Sequence, residues 1–291
     1  MSAAYSRPEC LVETGWVAEH LDDPAVRVLE CTVYLEPASV PGGYRVESGR
    51  SRWEAGHIPG AGFVDLPGSL SDRASALRFM MPPPAQFAEA MGAAGVGPGV
   101  RAVLYDRSVN MWAARVWWMM RAFGFDEAAV LNGGWRKWTL EGRATGTDDG
   151  VRPARRFTLQ PRPELIADKA GVLGALAQGA CVLNALSAEQ HRGTGGVSYG
   201  RPGHITGSVN VPARDLVDSR THAYLPADEL GAKFAAVGAL DAGRVVTYCG
   251  GGIAASSAAF ALALLGRDDV AVYDASLSEW AADPTLPMES A

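Results

Sequence analysis

Basic charge, cysteine clusters and long apolar runs are all scarce in this chain of 291 residues. Lys and Arg number 26 against 32 Asp and Glu, a formal net charge of −6. That balance argues against nucleic acid as the main partner, which needs a basic face, and leaves room for a local basic pocket. No window reaches 18 consecutive apolar residues, and the richest stretches, "FALALLG" and "MWAARVWWMM", are too short or carry charge, which argues against a membrane span. The opening "MSAAYSRPECLVETGWVAEHL" has no basic segment followed by an apolar one, so it does not read as a secretory signal. The four cysteines, Cys10, Cys31, Cys181 and Cys249, are widely scattered and form no CxxC or Cys/His cluster. That spacing argues against zinc and against a disulfide framework. A reducing, cytoplasmic setting fits these absences.

What is present is an ordinary globular composition, 48% hydrophobic and 20% charged, in a length comfortable for two domains. The chain repeats itself. "AGHIPGAGFVDLP" (55–67) returns as "PGHITGSVNVPAR" (202–214), "RAVLYDRSVNMWAARVWWMMRAFG" (101–124) as "RVVTYCGGGIAASSAAFALALLG" (244–266), and "AVLNGGWRKWTLEG" (129–142) as "AVYDASLSEWAADP" (271–284). The offsets stay nearly constant at 147, 143 and 142 residues. "VRVLECTV" (26–33) answers "ACVLNALS" (180–187) in the same way. Two domains of one fold are expected, 1–145 and 164–291, joined by a polar Gly/Pro-containing linker over 146–163.

Within each copy, short Val/Leu runs such as "VRVLE", "AVLYD" and "AAVLN" alternate with Ala-rich segments such as "PAQFAEAMGAAG" and "PADELGAKFAAVG". The former predict fully buried strands. The latter predict helices with Pro near the start and Gly at the end. The fold class is therefore α/β, each domain a mostly parallel sheet flanked by helices. In such sheets, sites gather at the carboxyl ends of strands.

Cys249 stands at such an end, followed by three glycines and a small-residue run. Glycines let the chain curl so that successive N–H groups point inward. The following helix start adds N–H groups without internal partners and a dipole that favours an anion. Gly250, Gly251, Gly252, Ile253, Ala254 and Ala255 are thus expected to cradle an anion around a nucleophilic Cys249 thiolate. A phosphatase loop, C-x5-R, is excluded because the sixth residue after Cys249 is Ala255.

"GHIPGA" (56–61), "GHITGSVNVP" (203–212), "CGGGIA" (249–254) and "YDASLSEWAADPTLP" (273–287) together resemble the tandem-domain rhodanese family of sulfurtransferases nearly end to end. The resemblance implies two rhodanese-like domains, the second catalytic and the first without the cysteine, Asp106 standing where Cys249 stands in the second. It implies a sulfane-sulfur relay. A small anionic donor gives its sulfur to Cys249 as a persulfide, and a small thiol, a thioredoxin-like protein or cyanide takes it, with no metal and no organic cofactor. Relatives that prefer thiosulfate carry basic residues after the cysteine, so the neutral glycine loop favours 3-mercaptopyruvate. Against the family pattern, Gly251 replaces a hydroxyl residue, Phe79 replaces a relay histidine and Gln190 replaces a pocket arginine. Arg192 and Arg201, close by in sequence, are the substitute candidates for binding the donor. The non-enzymatic alternative is a redox-sensing or binding module in which Cys249 is merely oxidisable.

Other residues carry plainer expectations. His57 and His204, each in a "GHI" motif of both copies, are expected to hold turns. Asp106 is expected to be a solvated strand-end carboxylate in a loop without a nest. The tryptophans of 111–120 are expected in packing, "GTGGVSYGR" (193–201) at the mouth of the site, and Cys10, Cys31 and Cys181 as passive.

Overall fold

In the computed structural model, described over residues 4–39 and 43–290, the Val/Leu runs are strands and the Ala-rich segments helices. The N-terminal half contributes β1 (Leu11–Val12), α1 (Thr14–Glu19), β2 (Val26–Glu30), β3 (Val33–Pro37), β4 (Tyr44–Ser48), α2 (Arg50–Ala55), β5 (Gly62–Phe63), α3 (Pro84–Ala93), β6 (Arg101–Tyr105), α4 (Met111–Ala122), β7 (Ala128–Leu131) and α5 (Gly134–Leu140). The C-terminal half contributes β8 (Ile166–Ala167), α6 (Lys169–Ala177), β9 (Cys181–Asn184), α7 (Ala188–Arg192), β10 (His204–Ile205), β11 (Val209–Asn210), α8 (Ala227–Ala235), β12 (Val245–Tyr248), α9 (Ile253–Leu264), β13 (Val270–Tyr273), α10 (Ser276–Trp280) and β14 (Met288–Glu289).

Each half holds a five-stranded parallel sheet, ordered β1-β7-β6-β2-β5 and β8-β13-β12-β9-β11. The two orders are the same once the repeat is taken into account, so β6 and β12 are the equivalent central strands. Val245, Val246, Thr247 and Tyr248 are all fully buried, as befits a strand covered on both faces. The equivalence reaches single atoms: the Tyr105 hydroxyl accepts from Ile58 N at 3.3 Å, and the Tyr248 hydroxyl from Ile205 N at 3.0 Å.

The halves meet through α4 and α9, the helices that follow those central strands. A helix apolar on every side belongs in an interior, and α9 is buried along nearly its whole length. Its alanines admit α4 closely, with Trp117 edge-on to Phe260 at 4.8 Å between ring centres. Beside this contact a buried ion pair crosses between the halves, Arg115 Nη2 lying 2.6 Å from Asp274 Oδ1. Residues 146–162 do not run free. Gly146 pairs with His57, Arg155 N donates to Gly92 O, and Arg162 N donates to Ala122 O, strapping the segment to the N-terminal half. At the chain start, Ser6 N donates to Leu264 O and the Tyr5 hydroxyl to Leu225 O, both in the other half. No helix among the described residues is long and apolar enough to cross a membrane.

Candidate active site

Cys249 follows β12 directly and is 2% exposed. The loop it opens is short, because Gly252 at φ 78 turns the chain into α9. A side chain at Gly252 would also collide, its Cβ coming within 2.8 Å of Asp274 Oδ1 and 2.9 Å of Arg115 Nη1. The glycine is needed for both reasons.

Gly250, Gly251, Ile253, Ala254 and Ala255 make no backbone N–H bond within the described residues. Gly252 is the exception in the expected cradle: its N–H donates to Ser276 Oγ at 3.2 Å, alongside that of Cys249 at 3.0 Å. Ser276 in turn donates to Tyr273 O at 2.7 Å. It is fully buried and sits at φ 51, a left-handed conformation costly for any residue with a Cβ. Ser278 clamps the next peptide, its N–H and hydroxyl both donating to Gly250 O, at 2.9 and 2.6 Å. These two serines were not singled out from the sequence. A signal existed, since Ser276 occupies the place held in the first copy by Gly134, at φ 48.

The equivalent loop of the N-terminal half overturns two expectations. Asp106 is not solvated; it is completely buried. Nor does the loop lack a nest. One Asp106 oxygen accepts from the N–H groups of Ser108 and Asn110 at 2.7 and 3.2 Å, and the other from Trp112 and Ala113 at 2.8 and 3.0 Å. Asn110, at φ 63, supplies the left-handed turn that Gly252 supplies in the second copy. The first copy thus holds an anion of its own where the second leaves its donors open. Burial pushes the Asp106 carboxyl above its ordinary value, and the four donors pull against it.

Each half lays a segment across the other's loop. In the N-terminal half Met81 N donates to Asp274 Oδ2 at 2.7 Å, and Arg78 and Phe79 flank the Cys249 loop. In the C-terminal half Tyr224 N donates to Asn132 Oδ1 at 2.8 Å, while His222 O accepts from Asn110 Nδ2 at 2.6 Å. Phe79 and His222 are counterparts, with φ of 65 and 59. A histidine does occupy this position, but over the loop without a cysteine.

A cavity of about 420 Å³ opens over Cys249 between the halves. The N-terminal half supplies Leu35, Tyr44, Phe79, Met111 and Trp112. From the other half, Val197 and Tyr199 place the 193–201 loop at the site, as expected. The Tyr199 ring lies against Gly250, where a Cβ would meet Cζ at 1.9 Å. Burial, and secondarily the nearby Cys249, push the Tyr199 phenol well up, so it stays a hydroxyl donor.

Neither candidate arginine lines this cavity. Arg201 is spent on main-chain carbonyls of Trp280, Ala281, Asp283 and Leu286 at 2.5–3.2 Å, tying down the C-terminal segment. Arg192 is exposed at the end of α7. Gln190 does line the cavity, but its amide serves the α7 capping box and Val197 O. The cation on the wall is Arg214, which the sequence reading missed.

The GHI histidines stand outside the cavity. His57 Nδ1 lies 2.7 Å from Trp53 O with its ring stacked on Trp53, and His204 Nδ1 lies 2.7 Å from His191 O with its ring stacked on His191. Burial pushes the Cys10 thiol up to about 11 and Cys31 well above its ordinary value. Among the described residues no group of three or more His, Cys, Asp or Glu could hold a metal ion.

Two parallel sheets of identical order, joined through the helices behind their central strands, with one cysteine-headed loop, define a tandem rhodanese-like protein. The Rhodanese-like domain family matches residues 13–141 and 187–283, and the chain belongs to it. It is 33% identical to the 3-mercaptopyruvate sulfurtransferase of Escherichia coli K12 over 96% of this chain and 97% of that one. It is 32% identical to the thiosulfate sulfurtransferase of Mus musculus over 93% and 91%. The crystal structure of SseA from Escherichia coli, a 3-mercaptopyruvate sulfotransferase, superposes with a TM-score of 0.81 at 31% identity, over 92% of this chain and 98% of that one. The anaerobic ergothioneine biosynthesis enzyme from Chlorobium limicola shares the fold at a TM-score of 0.83 and 22% identity, over 98% of this chain and 71% of that one. The protein is an enzyme, a sulfurtransferase.

Proposed function

We propose that the enzyme moves sulfane sulfur through a persulfide on Cys249, with 3-mercaptopyruvate favoured over thiosulfate as donor. The observation that carries the reading is the contrast between the two loops: donors closed by Asp106 in one, left open around Cys249 in the other. The thiolate attacks the donor sulfur. The donor's carbon–sulfur bond breaks, its electron pair stays on carbon, and the thiol proton of the donor moves to that carbon. Pyruvate leaves and Cys249 carries a persulfide anion, toward which the open N–H groups at Gly250, Gly251, Ile253, Ala254 and Ala255 supply preorganised donors. A thiol or cyanide then takes the outer sulfur and returns the thiolate.

The 3-mercaptopyruvate sulfurtransferases to which the chain is similar over nearly their whole length support this donor class. In the same reading, residues 1–145 form a non-catalytic half that roofs the cavity, 146–163 join the halves, and 164–291 carry the chemistry. Thiocyanate formation from cyanide, accompanied by pyruvate release from 3-mercaptopyruvate or sulfite release from thiosulfate, tests the proposal. It should be abolished in Cys249→Ser and proceed with higher kcat/KM for 3-mercaptopyruvate than for thiosulfate. Turnover retained in the variant would refute it.

A further inference from the structure

We propose that Arg214 anchors the anionic group of the donor, and that Glu189 and Asp215 beside it select a monoanion over a dianion; this rests on the sulfur-transfer reading above. An anionic donor entering a buried apolar cavity needs a compensating cation or hydrogen-bond donor at its charged end. The nest at Cys249 is directed to the reacting sulfur, so the far end of the donor needs a second partner.

The other arginines nearest in sequence or space are committed elsewhere or lie outside the cavity. Arg201 is saturated by four carbonyls. Arg78 donates to Tyr44 O at 3.0 Å and stacks on the Tyr44 ring at 4.8 Å. Arg115 is buried against Asp274 and Phe79 O. Arg192 lies outside the cavity.

Arg214 differs from all of these. It lines the same cavity as Cys249, is exposed, and makes no side-chain hydrogen bond or ion pair among the described residues. Its backbone is fixed even so. The turn Ala213–Leu216 is anchored at the carboxyl end of β9, Val211 N donating to Asn184 O at 3.0 Å and Ala213 N to Ala185 O at 2.9 Å. A guanidinium on a rigid turn, with its donors unspent, is prepared to take a carboxylate in bidentate fashion.

The remaining wall charges set the selectivity. Glu189 and Asp215 also line the cavity, so its charged groups sum to one cation against two anions. A second negative charge on the donor meets repulsion there. A keto acid with one carboxylate fits, whereas thiosulfate, a dianion with no apolar portion, uses neither the aromatic wall nor the charge balance.

Calorimetric binding of 3-mercaptopyruvate to full-length Cys249→Ser protein tests the anchor apart from the chemistry. Adding Arg214→Ala should weaken binding about 10- to 100-fold, the range of one charge-assisted hydrogen-bonded contact. Arg214→Lys should restore part of it, and Arg192→Ala should leave it within about twofold. In the active enzyme, Arg214→Ala should raise KM for 3-mercaptopyruvate by a similar factor while kcat changes by less than about threefold. Glu189→Gln with Asp215→Asn should improve kcat/KM for thiosulfate more than for 3-mercaptopyruvate. Equal affinity in the Arg214→Ala background overturns the assignment. Because that readout needs no sulfur transfer, it does so independently of whether Cys249 forms a persulfide.

Discussion

Removing the Ser276 hydroxyl should cost both stability and activity, and two variants separate the reasons. The Oγ accepts from Cys249 N at 3.0 Å and Gly252 N at 3.2 Å and donates to Tyr273 O at 2.7 Å, with the residue fully buried. Ser276→Ala leaves two buried N–H groups without an acceptor, and at about 1–3 kcal/mol for each the loss is about 2–6 kcal/mol. The backbone at φ 51 stays strained, since alanine keeps the Cβ. Ser276→Gly loses the same hydroxyl but relieves that strain, as Gly134 does at φ 48 in the first half, so it should be more stable than Ser276→Ala by about 1 kcal/mol. Urea unfolding followed by tryptophan fluorescence gives the stabilities, and persulfide formation at fixed donor gives the activity. Both variants should lower kcat/KM by at least about tenfold, because the two peptides that frame Cys249 are no longer held. Ser276→Ala within about 0.5 kcal/mol of the parent, with unchanged kcat/KM, would refute the reasoning.

Two further outcomes follow from buried charge and from titration. Asp274→Asn leaves Arg115 buried without its counter-charge, and should destabilise by about 3–5 kcal/mol, whereas Arg115→Met with Asp274→Leu should recover much of that in the same urea assay. His191 is held down to about 4, first by burial and then by His204, against an ordinary value of 6.5. The unfolded chain therefore binds the proton more readily, so this contribution to stability is present above pH 6.5 and is lost as pH falls toward about 4. His191→Gln should flatten the fall in urea midpoint between those values, and an unchanged slope would show that His191 does not titrate in that window.

Much of the architecture was legible because the repeats register on buried strands. "AVLYD" and "VVTYC" both end on the central strand of a parallel sheet, and the strand orders of the two halves agree accordingly. Cys249 and its glycines were legible for the same reason, since the loop is local and its glycines serve backbone geometry. Asp106 was misread because a nest needs positive φ, not glycine alone, and Asn110 provides it. The commitment of Arg201 was not legible, because proximity in sequence to Gln190 says nothing about which side chains main-chain carbonyls will consume. Arg115 with Asp274, and the exchange of segments around Phe79 and His222, depend on packing between halves and leave no local signature.

The central claim is that Cys249 carries the sulfur, and intact mass tests it most directly. Reduced enzyme incubated with 3-mercaptopyruvate, then freed of excess donor, should gain the mass of one sulfur. That adduct should be absent in Cys249→Ser and should be discharged by cyanide with release of thiocyanate. No gain in the parent protein, or an equal gain in Cys249→Ser, would contradict the account.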